Sequence, residues 1–420
     1  MSLVIAIARP YGLSGHTEFI QTSNQICMKQ IIITALIIIC FFTGKAQNAH
    51  ELVLAEIERN SVTLKALRQE MEMQILENKT GLTPTNPEVE FNYLWGSPTE
   101  IGKRKDFGIS QEFDFPTAYL RRGKISNLEN SSAELKYKMA RIEILTSAQQ
   151  ACAEITYCNN LLKEHVKHLN NAGQIATMYR TKMDKGDANI LEVNKANRHL
   201  SSVEYEIKEI ETQKASLMSY LISLNGGHPI ELEDTIFNQV MLPSDFEEWY
   251  MQVETTNPML QYVRKQVEIS HQEMRLSQAQ NLPKLSLGYM QEKVVGEKYQ
   301  GITAGATIPL WENKNQVKFA RKHKEAAQTA LEDSRILFYS NLKNLHSKAI
   351  SLQENIAMYS QSIDSFNDEK LLRKALDAGE ITLLDYLLEI EYYYEAIDRI
   401  LKSTFELQKT VIELNAASRI

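Results

Sequence analysis

Proline, glycine and cysteine are scarce in this chain, and long hydrophobic runs are almost absent. Its 420 residues include 10 prolines, 17 glycines and 4 cysteines, and 43% of them are hydrophobic. The 53 acidic residues outnumber the 46 basic ones, which gives a formal net charge of -7 without a basic block that would follow a phosphate backbone. These shortages exclude a multi-pass helical membrane protein and argue against nucleic-acid binding, while the apolar content is enough for a buried core.

The one long apolar run, from Ile31 to Phe42, predicts a secretory signal peptide. Lys29 precedes the run and Ala46 completes a small-residue pattern behind it, so we expect cleavage after Ala46. The run is too short to cross a membrane as a helix, which needs about 20 apolar residues. Met28 is the natural start of such a signal, and residues 1–27 are interpreted as an upstream extension. We therefore expect residues 1–46 to be removed and the chain to be exported.

Two cysteines, Cys152 and Cys158, remain in the expected mature chain. A separation of six residues on a helix points their side chains roughly 240° apart, so a disulfide between them would break that helix. Cys152 falls in an apolar stripe and is predicted to be a small core residue. We thus expect an exported protein without a disulfide framework.

Two stretches without proline, 117–228 and 310–420, predict very long helices. Within each stretch apolar residues recur mostly at steps of three or four, which is typical of a coiled-coil seam. The first predicted seam consists of Leu135, Met139, Ile142, Leu145, Ala148, Cys152, Ile155, Leu162, Val166 and Leu169. The second consists of Leu345, Leu352, Ile356, Tyr359, Ile363 and Phe366. A helix of some seventy residues would extend about 100 Å.

The chain also contains an internal repeat. The segment GISQEFDFP, ending at Pro116, aligns with GITAGATIP, ending at Pro309, at an offset of 193 residues, and Gly186 aligns with Gly379 at the same offset. Upstream the offset is 196, which predicts a loop that differs in length by three residues between the copies. Each copy is predicted to run helix, strand, loop, strand, long helix, turn, helix. The predicted divisions are 47–225 for the first copy, 226–256 for a connector and 257–420 for the second copy.

Four short segments alternate between apolar and polar residues and are predicted to be β-strands. One face of each is apolar and the other is small or polar, a pattern typical of outer-membrane barrel strands. Phe91, Phe113, Leu287 and Ile302 are examples of the apolar positions, one in each segment. The alternative is two surface hairpins packed on a helical core. Because a barrel needs about eight strands, the barrel interpretation requires several copies of the chain.

Together these features resemble the TolC-like outer-membrane efflux duct family. The motifs that carry the resemblance are the helix start Asn257-Pro258-Met259-Leu260, the strand entry Asn281-Leu282-Pro283, and the turn from Gly379 to Asp385 with its weaker twin from Gly186 to Glu192. The resemblance covers residues 48–418. It implies a mainly α chain with a β-barrel part, in which long coiled-coil helical hairpins and four transmembrane β-strands assemble, as a homotrimer, into one α/β-barrel duct.

The resemblance also implies a function. The protein would lie in the bacterial outer membrane, extend into the periplasm and serve as the exit duct of a tripartite efflux system, with a periplasmic adaptor, an inner-membrane transporter and outer-membrane lipid as partners. A passive duct needs no cofactor, metal or catalytic residue, and the sequence has no motif for an enzyme. The substrate stays open among metal cations, drugs and polypeptides. The alternative is a periplasmic coiled-coil adaptor or a structural protein of an envelope complex.

The predicted entrance of the duct lies where the long helices reverse, at Gly186 and Gly379, because glycine supplies the positive φ that such turns use. Glu192 and Asp385 follow at equivalent positions. In a trimer their carboxylates would encircle the entrance, favour cations and have pKa values raised by mutual repulsion. Alternatively, each acid only complements the dipole of the helix that it begins. A second acidic ring, which the family can have, is not expected because Leu388 occupies that position.

Two further pairs complete the candidate residues. Pro116 and Pro309 end the second strand of each copy and are predicted to mark the strand-to-helix junctions. His165 and His168 are three residues apart, a spacing at which two imidazoles can share a metal ion on a helix. We interpret this pair instead as part of a solvated helix face without a ligand.

Overall fold

The computed structural model describes residues 49–365 and 369–419. The chain forms two compact units, Met1–Leu52 and Val53–Ile420. Only the first turn of one helix is described in the first unit, so the account below concerns the second. The predicted signal peptide and the predicted seam residue Phe366 lie outside the described residues.

The described residues form nine α-helices and four β-strands, so the chain is mainly helical, as predicted. The helices are α1 (Ala49–Asn60), α2 (Val62–Glu77), α3 (Pro116–Lys185), α4 (Ile190–Leu224), α5 (Phe246–Thr256), α6 (Pro258–Ala279), α7 (Gln316–Ser365), α8 (Glu369–Ala378) and α9 (Leu383–Ala416). The strands are β1 (Glu88–Trp95), β2 (Lys103–Phe113), β3 (Lys284–Val294) and β4 (Glu297–Thr307). None of the helices in the described part is both long and apolar enough to cross a bilayer.

The four strands form one antiparallel sheet in the order β1-β2-β3-β4. A seven-residue connection, Gly96–Gly102, joins β1 to β2 and contains a short 3-10 turn. β3 and β4 are joined by only Val295 and Gly296, both at positive φ, which is the backbone of a tight two-residue hairpin. The longer turn of the first copy lies where the offset of the sequence repeat changes.

The 70-residue helix α3 begins at a proline, and a glycine, Gly186, caps its end. Pro116 lacks the amide hydrogen that a first helical turn leaves unpaired in any case. α3 packs along α4, α6 and α9, and α7 packs along α6 and α9. Most of the predicted seam of α3 is buried or half-buried, but Val166 is 49% exposed in the single chain.

Both cysteines of the described chain are buried and free, and Cys152 is a core residue, as predicted. Burial raises the pKa of the Cys152 thiol to about 12 and that of Cys158 to about 11. Each thiol therefore stays protonated at neutral pH and acts as a small apolar side chain of the α3 core.

Equivalent positions near the start of the two copies have the same local structure. Ser61 caps the start of α2, and Asn257, which aligns with it in the sequence, caps the start of α6. The same offset of 196 places α1 opposite α5. The repeated unit thus extends into the segment that the sequence assigned to the connector.

The remainder of the connector packs along the long helices. The amides of Asn159 and Asn160 on α3 donate hydrogen bonds to the backbone carbonyls of residues 232, 234 and 235. From α9, the amide of Gln408 donates to the carbonyl of Asn238. These side chains satisfy the carbonyl groups of an extended segment that has no partner strand.

Candidate functional site

The two turns at which the long helices reverse have the same backbone geometry. Gly186 has φ +84° and Gly379 has φ +78°. The amides of Gly186 and Asp187 donate to the carbonyls of Met183 and Lys182. In the second copy the amides of Gly379 and Glu380 donate in the same way to the carbonyls of Leu376 and Ala375. This is the Schellman arrangement, which needs a left-handed residue, so glycine is required at both positions.

Glu192 belongs to a capping box at the start of α4. The side chain of Asn189 accepts hydrogen bonds from the amides of Leu191 and Glu192 at 3.0 and 3.1 Å, and the carboxylate of Glu192 accepts one from the amide of Asn189 at 2.9 Å. Three amides at the helix start are thus satisfied by two side chains that act reciprocally.

Asp385 occupies the equivalent position at the start of α9. Its carboxylate accepts hydrogen bonds from the hydroxyl and the amide of Thr382, and its own amide donates to the Thr382 hydroxyl at 3.2 Å. These bonds hold the pKa of Asp385 below its usual value within the single chain, opposite to the direction expected from a ring of carboxylates. Within the single chain both acids therefore cap the helix that they begin.

The role of both acids as helix caps can be recognised from the sequence spacing. Asn189 and Thr382 each precede an acid by three residues, which is the spacing of a capping box.

A shared hydrophobic cluster brings both helix turns to the same end of the bundle. Tyr179 of α3, Val193 of α4, Leu376 of α8 and Tyr386 of α9 belong to it. Asn171 of α3 donates hydrogen bonds at 2.9 Å to the hydroxyls of both Tyr386 and Tyr394. No sequence pattern pointed to this network, because Asn171 lies more than 200 residues before both tyrosines in the chain.

The sheet has one apolar and one polar face. Phe91 is 66% exposed, Leu287 55% and Ile302 86%, although all three are large and apolar. On the opposite face small and polar residues oppose one another, as in Ser110 against Gly288 and Gly288 against Thr303. A Cβ atom on Gly288 would lie 2.6 Å from the carbonyl oxygen of Ile109, so the strands exclude a side chain there.

Phe113, by contrast, lies at the end of β2 and is half-buried. It lines an apolar groove of about 760 Å³ with Pro116, Tyr119 and Leu120 from the start of α3 and Leu285 from β3. Phe113 is therefore not equivalent to Ile302, with which the sequence grouped it, because a residue at a strand end lies far from the middle of the sheet.

The two predicted junction prolines differ in position. Pro116 opens α3 after a connection of two residues from the end of β2. Pro309 lies in the segment between β4, which ends at Thr307, and α7, which begins at Gln316. Only the first copy therefore passes from strand to helix directly at its proline.

The prediction that His165 and His168 lie on a solvated face is wrong. Their exposed fractions are 6% and 3%, because α4 and α9 cover this face of α3. Nδ1 of His165 lies 3.3 Å from Glu206 on α4, and its Nε2 lies 3.3 Å from Asp398 on α9. Within residues 49–365 and 369–419, no three histidine, cysteine, aspartate or glutamate side chains are arranged to hold a metal ion.

Comparison with solved structures identifies the fold. Over 89% of this chain and 92% of the other, it superposes on CusC, a protein that forms a transmembrane channel, with a TM-score of 0.75 and 15% identity. The CmeC outer membrane channel of Campylobacter jejuni superposes with a TM-score of 0.74 and 16% sequence identity, over 88% of this chain and 85% of the other. The open state of the MtrE outer membrane channel of Neisseria gonorrhoeae superposes with a TM-score of 0.69 and 13% sequence identity, over 88% of each chain.

The chain thus has the fold of the outer-membrane channels. At these identities the likeness is one of fold, and at that level the resemblance drawn from the sequence is confirmed. No protein-family model and no curated protein sequence matches the chain.

Proposed function

We propose that this protein is an outer-membrane channel of bacteria and the exit duct of a tripartite efflux system. The observation that carries the proposal is the four-stranded sheet, which exposes large apolar side chains such as Phe91, Leu287 and Ile302 on one face and whose outer strands, β1 and β4, each pair on one side only among the described residues. The fold shared with solved outer-membrane channels supports the same function.

The dimensions of the sheet suit a lipid bilayer. β2, β3 and β4 each contain 11 residues. At about 3.3 Å per residue such a strand is about 36 Å long, and a tilt of about 45° reduces its height to about 26 Å. The apolar band of outer-membrane barrels is about 25 Å high. Lipid would therefore cover an apolar face that water would otherwise contact.

The sheet edges argue for several copies of the chain. In lipid the unpaired amides and carbonyls of β1 and β4 would each cost several kcal/mol, because no water is present to satisfy them. Pairing β4 of one copy with β1 of the next removes both edges and closes the sheet into a barrel. The family resemblance gives the number of copies as three.

The helices extend the proposed duct. The 70 residues of α3 span about 105 Å at 1.5 Å per residue, a length that would reach from the membrane toward a periplasmic adaptor and its transporter. The helix turns at Gly186 and Gly379 would form the entrance. Glu192, which is half-exposed, and Asp385, which is exposed, would line it in each copy while still capping their own helices.

Cross-linking between sheet edges tests the assembly. A cysteine replacing Glu90 on β1 is combined with one replacing Gly301 or Thr303 on β4, since all three positions lie on the polar face. Oxidation in outer-membrane fractions should yield covalent trimers. The single-cysteine variants are the controls and should stay monomeric on a denaturing gel. A particle that is monomeric in detergent yet inserted in the membrane would refute the assembly.

Cell fractionation separates the proposed duct from the alternative function. An adaptor or structural protein of the periplasm would be released as a soluble protein or remain with the inner membrane. The proposed duct should need detergent for extraction and should migrate as a heat-modifiable oligomer.

A further inference from the structure

A cleft of about 320 Å³ between α3, α4 and α9 surrounds the imidazole of His165. The α3 residues that face it and titrate are His165 itself, Tyr157 and His168. From α4 the titratable groups are His199, Glu206 and Glu209. Hence the first helical hairpin contributes three histidines and two carboxylates to this cleft.

The second hairpin contributes acidic groups and one tyrosine. Glu391, Glu395 and Asp398 of α9 face the cleft together with Tyr394. The cleft therefore contains five carboxylates and no lysine or arginine. A positive charge on an imidazole is the only cationic charge that these lining residues can supply.

The two ion-pair contacts of His165 favour that charge, and the buried Nδ1 atom has no hydrogen-bond partner among the described residues. Each of its two ring nitrogens lies 3.3 Å from a carboxylate oxygen, Nδ1 from Glu206 and Nε2 from Asp398. A neutral imidazole has one N–H donor and one lone pair, so one of the two carboxylates would face a lone pair. Only the doubly protonated ring presents a donor to both. The two carboxylates lie on opposite sides of the ring, which suits a proton-bearing bridge rather than convergent ligands of a metal.

The pKa values of His165 and of the groups around it agree with a protonated His165. Burial alone would lower the pKa of His165, but Asp398 and Glu206 raise it from 6.5 to about 9. The contact with His165 lowers the pKa of Glu206. Burial, followed by the charge on His165, lowers the pKa of His168 to about 4, and its neutral ring stacks on Tyr394 with the ring centres 3.4 Å apart. One protonated histidine thus lies beside a neutral one.

We propose that His165 is a proton-dependent link between the two helical hairpins, bridging Glu206 of the first hairpin and Asp398 of the second. The link lies 21 residues before Gly186, about 32 Å along α3 from the helix turn. Since the pKa is higher in the folded chain than its ordinary value, the link is complete below pH 6.5 and is lost as the pH rises through about 9. Losing the proton leaves Asp398 or Glu206 facing a lone pair and loosens α9 from α3 and α4.

Two measurements on the assembled, detergent-solubilised protein test this link. The first is the titration of His165 by NMR, with carbon-labelled histidine and with the His165→Gln variant to assign the signal. The second is the distance between spin labels on cysteines that replace Ser201 of α4 and Lys402 of α9, both exposed, measured from pH 6 to pH 10. Preparations without introduced cysteines check that the two buried native cysteines stay unlabelled.

The expected result is a common midpoint near pH 9 for the imidazole signal and the change in distance. Asp398→Asn should move both midpoints down by at least one pH unit, and His165→Gln should abolish the distance transition. His323→Gln is the matched control, since His323 forms an exposed ion pair with Glu273 outside this cleft, and it should leave both midpoints unchanged.

A His165 signal that titrates at or below its ordinary value of 6.5 would overturn the proposal. So would a distance that does not follow the titration, or midpoints that Asp398→Asn leaves in place. If His165→Gln does not assemble, the wild-type titration and Asp398→Asn still decide. Neither readout depends on conduction through a membrane, so failure here leaves the proposed channel function untouched.

Discussion

Replacing Ile302 with arginine tests whether the apolar face of the sheet contacts lipid. Ile302 lies at the centre of β4, opposite Tyr289 on β3, and is 86% exposed in the single chain. If this face meets the middle of a bilayer, an arginine there costs about 2 to 4 kcal/mol. That free energy corresponds to about a 30- to 1,000-fold change in the folding equilibrium for each copy of the chain.

The adjacent residue supplies a matched control. Thr303 is exposed on the same strand but on the polar face, opposite Gly288. Thr303→Arg introduces the same charge and the same bulk one residue away, on the side that would face water. We expect a small effect on stability from Thr303→Arg and a large one from Ile302→Arg.

The assay is urea unfolding in phospholipid vesicles, with the yield of heat-modifiable oligomer as a second readout. Ile302→Leu should behave as the wild type, because it keeps the apolar contact with lipid. Equal stability of the two arginine variants would refute the assignment of the apolar face to lipid. It would favour the alternative of a surface sheet on a helical protein.

Two further predictions concern the helix turns. Gly379→Ala should destabilise the folded protein by about 1 to 2 kcal/mol because φ is positive there. Gly173→Ala, inside α3 with open space around the new methyl group, should instead stabilise it by about 0.5 to 1 kcal/mol. Unfolding in denaturant measures both changes, and equal effects would contradict the account of the turn. If Glu192 and Asp385 ring the entrance, Glu192→Gln combined with Asp385→Asn should reduce cation selectivity in single-channel recordings. If the double variant instead loses about 0.3 to 1 kcal/mol of stability per site and its selectivity is unchanged, both acids are helix caps only.

The sequence by itself determined that long helices and four strands are present and that the architecture occurs twice. Period-two alternation marked the strands and the lack of proline marked the long helices, because both signals depend only on the local backbone. Gly186 and Gly379 were recognisable as turn residues for the same reason, since a left-handed turn excludes most other residues.

Tertiary structure decided which helix faces are covered. The spacing of His165 and His168 showed that they share a face of α3, but a helix period does not reveal whether another helix lies over that face. α9, more than 200 residues further along the chain, buries both rings and supplies Asp398. The exposure of Val166, one residue from His165, follows from the same packing. Charge, burial and proton affinity at this position therefore depend on a contact between distant segments, which no local pattern of residues encodes.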